Sequence, residues 1–187
     1  MVILNILLLS FVFGISMKIA DLLNEHGLSL FKGANIIFGF LWGGIGSFLI
    51  TQNQIVANIY IAIIIAYIFR AKIDYINHGI GSCMMLFTFL YQLNNGAINI
   101  DWNILLIFSF VLTISGLIHD WLIGNNKLNL KLGELLHTGI FYTIVPFIYS
   151  FLAKSWVVFL SLFTFGIGYE LTRFLGTRII ISQKSKR

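Results

Sequence analysis

Carboxylates and histidines keep company at four places in this 187-residue chain: Asp21-x-x-x-Glu25-His26, Asp74-x-x-x-His78, His119-Asp120 and Glu134-x-x-His137. Asp, Glu and neutral His are the ligands of Zn, Mn and related ions, and i, i+3 or i, i+4 spacing lets two side chains on one helix reach one ion. Glu-x-x-His is also the spacing with which helical bundles hold two metals. A metal held this way turns a bound water into a nucleophile near neutral pH. The expected ligands of such a divalent ion (Zn, Mn or Mg) are Asp21, His26, Asp74, His78, His119, Asp120, Glu134 and His137. Asp74, His78 and Glu25 are the expected catalytic groups. Arg70 and Lys72 are placed to hold an anionic group such as phosphate.

The densest of these segments is Arg70-Ala-Lys-Ile-Asp-Tyr-Ile-Asn-His78. A continuous helix there puts Arg70, Asp74 and His78 on one face. The plainer alternative is that charges at the ends of membrane helices are solvated by the interface, with Arg70 and Asp74 an i, i+4 ion pair worth a few tenths of a kcal/mol. Glu170 and Arg173 read as an i, i+3 structural pair. Serine chemistry is not indicated, because no Gly-x-Ser-x-Gly occurs and Ser82 sits in an apolar run. Cys83 has no charged neighbour in its span to activate it.

Composition says where such a site must lie. The chain is 58% hydrophobic and 10% charged, against about 25% charged for a soluble domain, and its mean hydropathy is +0.92. It reads as a membrane protein. The single cysteine, Cys83, has no partner for an internal disulfide and serves as a small apolar packing residue. Much of the net charge of +5 comes from Arg173, Arg178, Lys184, Lys186 and Arg187. A basic tail directly after a hydrophobic span signals topology and contact with anionic lipid. No stacking aromatics interleave it, so a nucleic-acid surface is not expected.

Apolar runs over 2–17, 34–50, 55–69, 80–93, 104–118, 137–151 and 156–169 predict about seven membrane helices, with six as the alternative count. The runs span about 14 to 17 residues, fewer than the roughly 20 a crossing needs. Each helix is therefore expected to extend into its polar flanks, drawing ionisable residues to headgroup depth, where a lone charge is costly and a partner is expected. Gly39 and Gly43 have the spacing that lets helix backbones approach closely. Thr51 to Gln54 makes a hairpin turn, Trp102 and Trp121 bracket the fifth span as interfacial aromatics, and Pro146 should kink the sixth.

When polar segments alternate between the two sides, eleven of the twelve Lys and Arg fall on one side and Lys154 on the other. The positive-inside rule then sets the N-terminus outside and the C-terminus in the cytoplasm. All four histidines and six of the seven acids join the cytoplasmic side; Asp101 is the exception. The expectation is an all-α, polytopic transmembrane helix bundle, one integral membrane domain over 1–187 with a basic cytoplasmic tail over 174–187, in the cell membrane. Its expected function is that of a metal-dependent hydrolase or transferase acting on a lipid or lipid-linked substrate. A non-catalytic membrane scaffold or binding protein is the alternative. A transporter fits less well, because the middles of the spans carry no ionisable group. Oligomeric state has no signature in the sequence.

Overall fold

A computed structural model describes residues 2–24, 27–124 and 139–184. Every regular element among them is helical: α1 (Val2–Asn24), α2 (Ala34–Ile50), α3 (Gln54–Phe69), α4 (Ile76–Asn94), α5 (Trp102–Gly124), a π-helical turn (Ile140–Ile144) that runs into α6 (Val145–Ala153), and α7 (Val157–Lys184). Three helical stretches, Val2–Asn24, Trp102–Leu122 and Val157–Gln183, are long and apolar enough to cross a membrane. The expected extension into polar flanks happens in these three. By contrast α2 and α3 stop at 17 and 16 residues.

The exposed surface is apolar to a degree that water would not tolerate. Phe69, Phe87, Phe110, Phe151 and Leu152 are each at least two-thirds exposed, whereas soluble monomers rarely show large contiguous apolar patches. Polar groups have gone inward instead: Lys18, Asp21, Asn58, Asn77 and His78 are buried. Cys83, expected to pack inside, lies exposed on α4.

α3 is the most enclosed helix, with Val56, Ala57, Ile59, Tyr60, Ile61, Ala62, Ile64 and Ala66 all buried. A sequence apolar on every side can be buried on every side. Asn53 starts it by accepting from the Ile55 and Val56 amides, two donors that a helix start otherwise leaves unpaired. Around α3, α1 packs most extensively on α7, α2 on α4 and α3 on α5.

Glycine sets two of these approaches. A Cβ on Gly43 would stand 2.7 Å from the Gly81 Cα, and one on Gly39 would stand 2.9 Å from the Asn77 Cα, so α2 and α4 touch backbone to backbone. The predicted Gly39 and Gly43 contact is real, though it joins α2 to α4 rather than to its hairpin partner α3. Gly14 and Gly168 do the same reciprocally for α1 and α7, each facing the other helix's carbonyls.

The stretch from Arg70 to Tyr75 is not helical. α3 ends at Arg70, and Ala71 turns left-handed with φ 52°. The Ala71 amide bonds the Ile68 carbonyl at 3.0 Å and the Lys72 amide bonds the Tyr67 carbonyl at 2.9 Å, the two bonds of a Schellman termination. Arg70, Asp74 and His78 therefore do not share one helical face, as they would if the stretch were a continuous helix; the chain reverses there instead. Pro146, expected to kink its span, is the second residue of α6, just past the π-helical turn; lacking an amide hydrogen, it cannot supply the α-helical bond at that point.

Candidate functional site

α1 continues to Asn24 and so carries Lys18 and Asp21 inside the bundle, where the sequence placed them in a connecting segment. Lys18 is thus a buried charge, not a surface one. With a side chain 9% exposed, Asp21 is met by three partners. Lys18 Nζ lies 3.5 Å from its Oδ2, the Tyr169 hydroxyl donates to Oδ2 at 2.8 Å, and His78 Nε2 lies 3.0 Å from its Oδ1. Lys18 Nζ also donates to the Tyr169 hydroxyl at 3.1 Å. These contacts join α1, α4 and α7.

Asp74 lies on the other edge of the His78 ring, its Oδ1 3.4 Å from Nδ1, and is about half exposed. The sequence pairing of Asp74 with His78 is therefore correct in space, although the chain between them is only partly helical. Lys18, Asp21, His78 and Asp74 make a line of alternating bases and carboxylates leading from the interior to the surface. An imidazolium has two donors and can serve both carboxylates, while neutral imidazole has one. The Asp21 contact is the shorter and the more buried, so it fixes the ring and leaves the Nδ1 edge facing the solvent side.

Amides frame the ring. Asn77 Oδ1 accepts from the His78 amide at 2.9 Å and from Asn24 Nδ2 at 2.5 Å. Asn35 Nδ2 in turn donates to Asn24 Oδ1 at 3.3 Å. Beyond Tyr169 the network approaches Tyr142, whose ring centroid is 6.3 Å away, and the Tyr142 and Tyr67 hydroxyls are 3.2 Å apart. Deeper still, Ser10, Ser161 and Tyr60 share hydroxyl bonds of 2.8 to 3.4 Å among α1, α7 and α3. A cavity of about 20 Å³ between these layers, bordered by Met17, Trp42, Tyr60, Tyr67 and Ser82, is large enough for about one water. That cavity is too small for a substrate.

Arg70 and Lys72 turn elsewhere. Arg70 Nη2 donates to Asp120 Oδ2 at 3.1 Å, Lys72 Nζ is 3.6 Å from the same oxygen, and His119 Nδ1 is 3.4 Å from Asp120 Oδ1. The guanidinium lies against Gly116, where any Cβ would overlap it. The Arg70 and Asp74 pair considered from spacing is thus replaced by Arg70 and Asp120. Glu170 and Arg173 do pair, at 2.5 Å.

Eight ligands were expected to converge on a metal. Among the described residues no three His, Cys, Asp or Glu side chains stand close enough to hold one. The reason is geometric for Asp21, His78 and Asp74: the imidazole lies between the two carboxylates, so their oxygens are on opposite ring edges and cannot meet at a point. Asp120, with His119, is already faced by two cations. Glu25, His26, Glu134 and His137 lie outside the described residues.

Sequence reasoning missed Lys18, Tyr169, Asn77 and Asn24. Lys18 and Asp21 had a usable signal, an i, i+3 pair in register with the apolar run before them. Tyr169 had a weaker one, one turn beyond buried Phe165. Comparison of the chain with protein-family models, with curated proteins and with solved structures found no match.

Proposed function

We propose that the protein is a multi-pass integral membrane protein, N-terminus outside and C-terminus cytoplasmic, that carries out acid–base hydrolysis or transfer on a lipid or lipid-linked substrate at the cytoplasmic leaflet. The observation that carries this reading is His78, held at Nε2 by buried Asp21 and turned at Nδ1 toward half-exposed Asp74. Ionisable groups buried in apolar helices are costly and mark function by default. A histidine oriented by a buried carboxylate is the proton-moving half of a catalytic triad.

In this reading His78 Nδ1 exchanges a proton with the reacting group that takes the place of the Asp74 carboxylate. Asp21 stabilises the imidazolium, and Lys18 and Tyr169 hold Asp21. A divalent metal enters only if ligands beyond Asp21 and His78, such as Glu25 and His26, complete a set. The proton transfer proposed here uses none.

The second reading is a non-catalytic membrane protein in which the same contacts tie α1, α4 and α7 together. Saturation of Asp21 by three partners favours it. The test is release of product from a panel of lipid phosphates and lipid esters by purified protein in nanodiscs, with metal content measured in parallel. Turnover by wild type that falls at least a hundredfold in His78→Gln, whose melting temperature stays near wild type, supports catalysis. No turnover across the panel, with His78→Gln affecting stability alone, leaves the structural tie as the better account.

A further inference from the structure

The far end of α7 and the segment that follows α1 form a second surface, apart from the His78 chain. α7 has 28 residues, which at 1.5 Å per residue is about 42 Å, roughly 12 Å more than the hydrocarbon core. Its last turns must stand at headgroup depth or beyond. The outer side leading to them and within them is nonetheless apolar: Leu171, Phe174 and Leu175 before them and Ile179 and Ile181 within them are about half exposed or more. Arg178, also exposed, lies with its guanidinium 4.1 Å from the centre of the Phe174 ring, its stem along an apolar face and its charge at the rim.

The segment after α1 is pinned to this helix end. Gln183 Nε2 donates to the Ser29 carbonyl at 3.0 Å, and Leu28 packs with Leu22 and Ile180. Next come Leu30 and Phe31, each at least half exposed, and then exposed Lys32. Large apolar side chains alternating with cations at one helix end fit the boundary between headgroups and acyl chains.

We infer that the end of α7 and the segment from Gly27 to Gly33 together form a binding surface for anionic phospholipid, Leu30, Phe31 and Phe174 entering the acyl boundary and Lys32 and Arg178 meeting the headgroup phosphates. A protein partner of acidic chemistry is the competing occupant. The apolar belt continuous with the membrane-facing surface favours lipid.

Native mass spectrometry of the detergent-solubilised full chain, titrated with phosphatidylglycerol and with phosphatidylcholine, tests it. Wild type should retain phosphatidylglycerol preferentially. Lys32→Gln and Arg178→Gln should each weaken that retention about fivefold, the effect of removing one surface cation, and Lys154→Gln, at the opposite end, should leave it unchanged. Both residues are exposed, so folding should survive, and a thermal melt verifies that. Equal retention of the two lipids overturns the inference. So does phosphatidylglycerol retention that survives the double variant, or that falls as much in Lys154→Gln.

Discussion

Asp21 draws partners from three helices, of which Lys18 and His78 are as buried as it is and Tyr169 is partly buried. Replacing it with Asn keeps the shape but leaves Lys18 buried without its counter-charge. Such a loss costs about 3 to 5 kcal/mol, and denaturation in detergent should read it as a large fall in stability. Asp74→Asn removes a half-exposed carboxylate from the opposite edge of the same ring and should cost under about 1 kcal/mol. Tyr169→Phe deletes one donor to a carboxylate and falls between, at about 1.5 to 3 kcal/mol. An order other than Asp21, Tyr169, Asp74 would mean that the chain is held from its surface end. The sequence made Asp74 and His78 legible because they are close along the chain. Asp21 stood among the eight expected ligands, but nothing singled it out as the third member, since that contact joins residues 57 apart, and periodicity carries no information about which helices become neighbours.

At the scale of elements, two adjacent glycines on α2 should respond with opposite signs. A Cβ on Gly43 meets the Gly81 backbone at 2.7 Å, so Gly43→Ala must push α2 from α4 and should cost about 1 to 3 kcal/mol. A Cβ on Gly44 meets nothing nearer than the flexible end of Met84 at 3.9 Å. Gly44→Ala should be neutral or stabilising by up to about 1 kcal/mol, the helix preference of Ala over Gly. Thermal melts of the two variants side by side check the pair. The end of α3 offers a third case: Ala71 occupies a left-handed position that glycine fits better. Ala71→Gly should therefore raise stability modestly, and Ala71→Val should lower it. The helix count and most helix starts could be read from apolar runs. The apolar run also stopped at Phe69, but the left-handed termination that ends the helix there was not legible, because Ala71 lacks the glycine that marks such terminations. That α1, α5 and α7 run on into polar flanks followed from the shortness of the apolar runs, but not how far each goes, because that depends on the partners Lys18, Asp21 and Asp120 find inside.

Among the described residues, many large apolar side chains are exposed while Lys18, Asp21 and His78 are buried, the reverse of a soluble domain. Composition made that inversion plain, because so few charged residues cannot clothe a surface in water. Among the described residues the same scarcity sets the carboxylates against cations rather than against one another, because cations as well as acids must be neutralised in an apolar interior. Arg70 and Lys72 take Asp120, while Lys18 shares Asp21 with His78.

The proposed chemistry requires that the His78 chain open to the cytoplasm at Asp74. In a Cys83→Ser background, Asp74→Cys labelled with a membrane-impermeant maleimide reads this directly. Labelling in inside-out vesicles together with protection in sealed right-side-out vesicles is the predicted result. Labelling from the outside would reverse the orientation and contradict a site at the cytoplasmic leaflet.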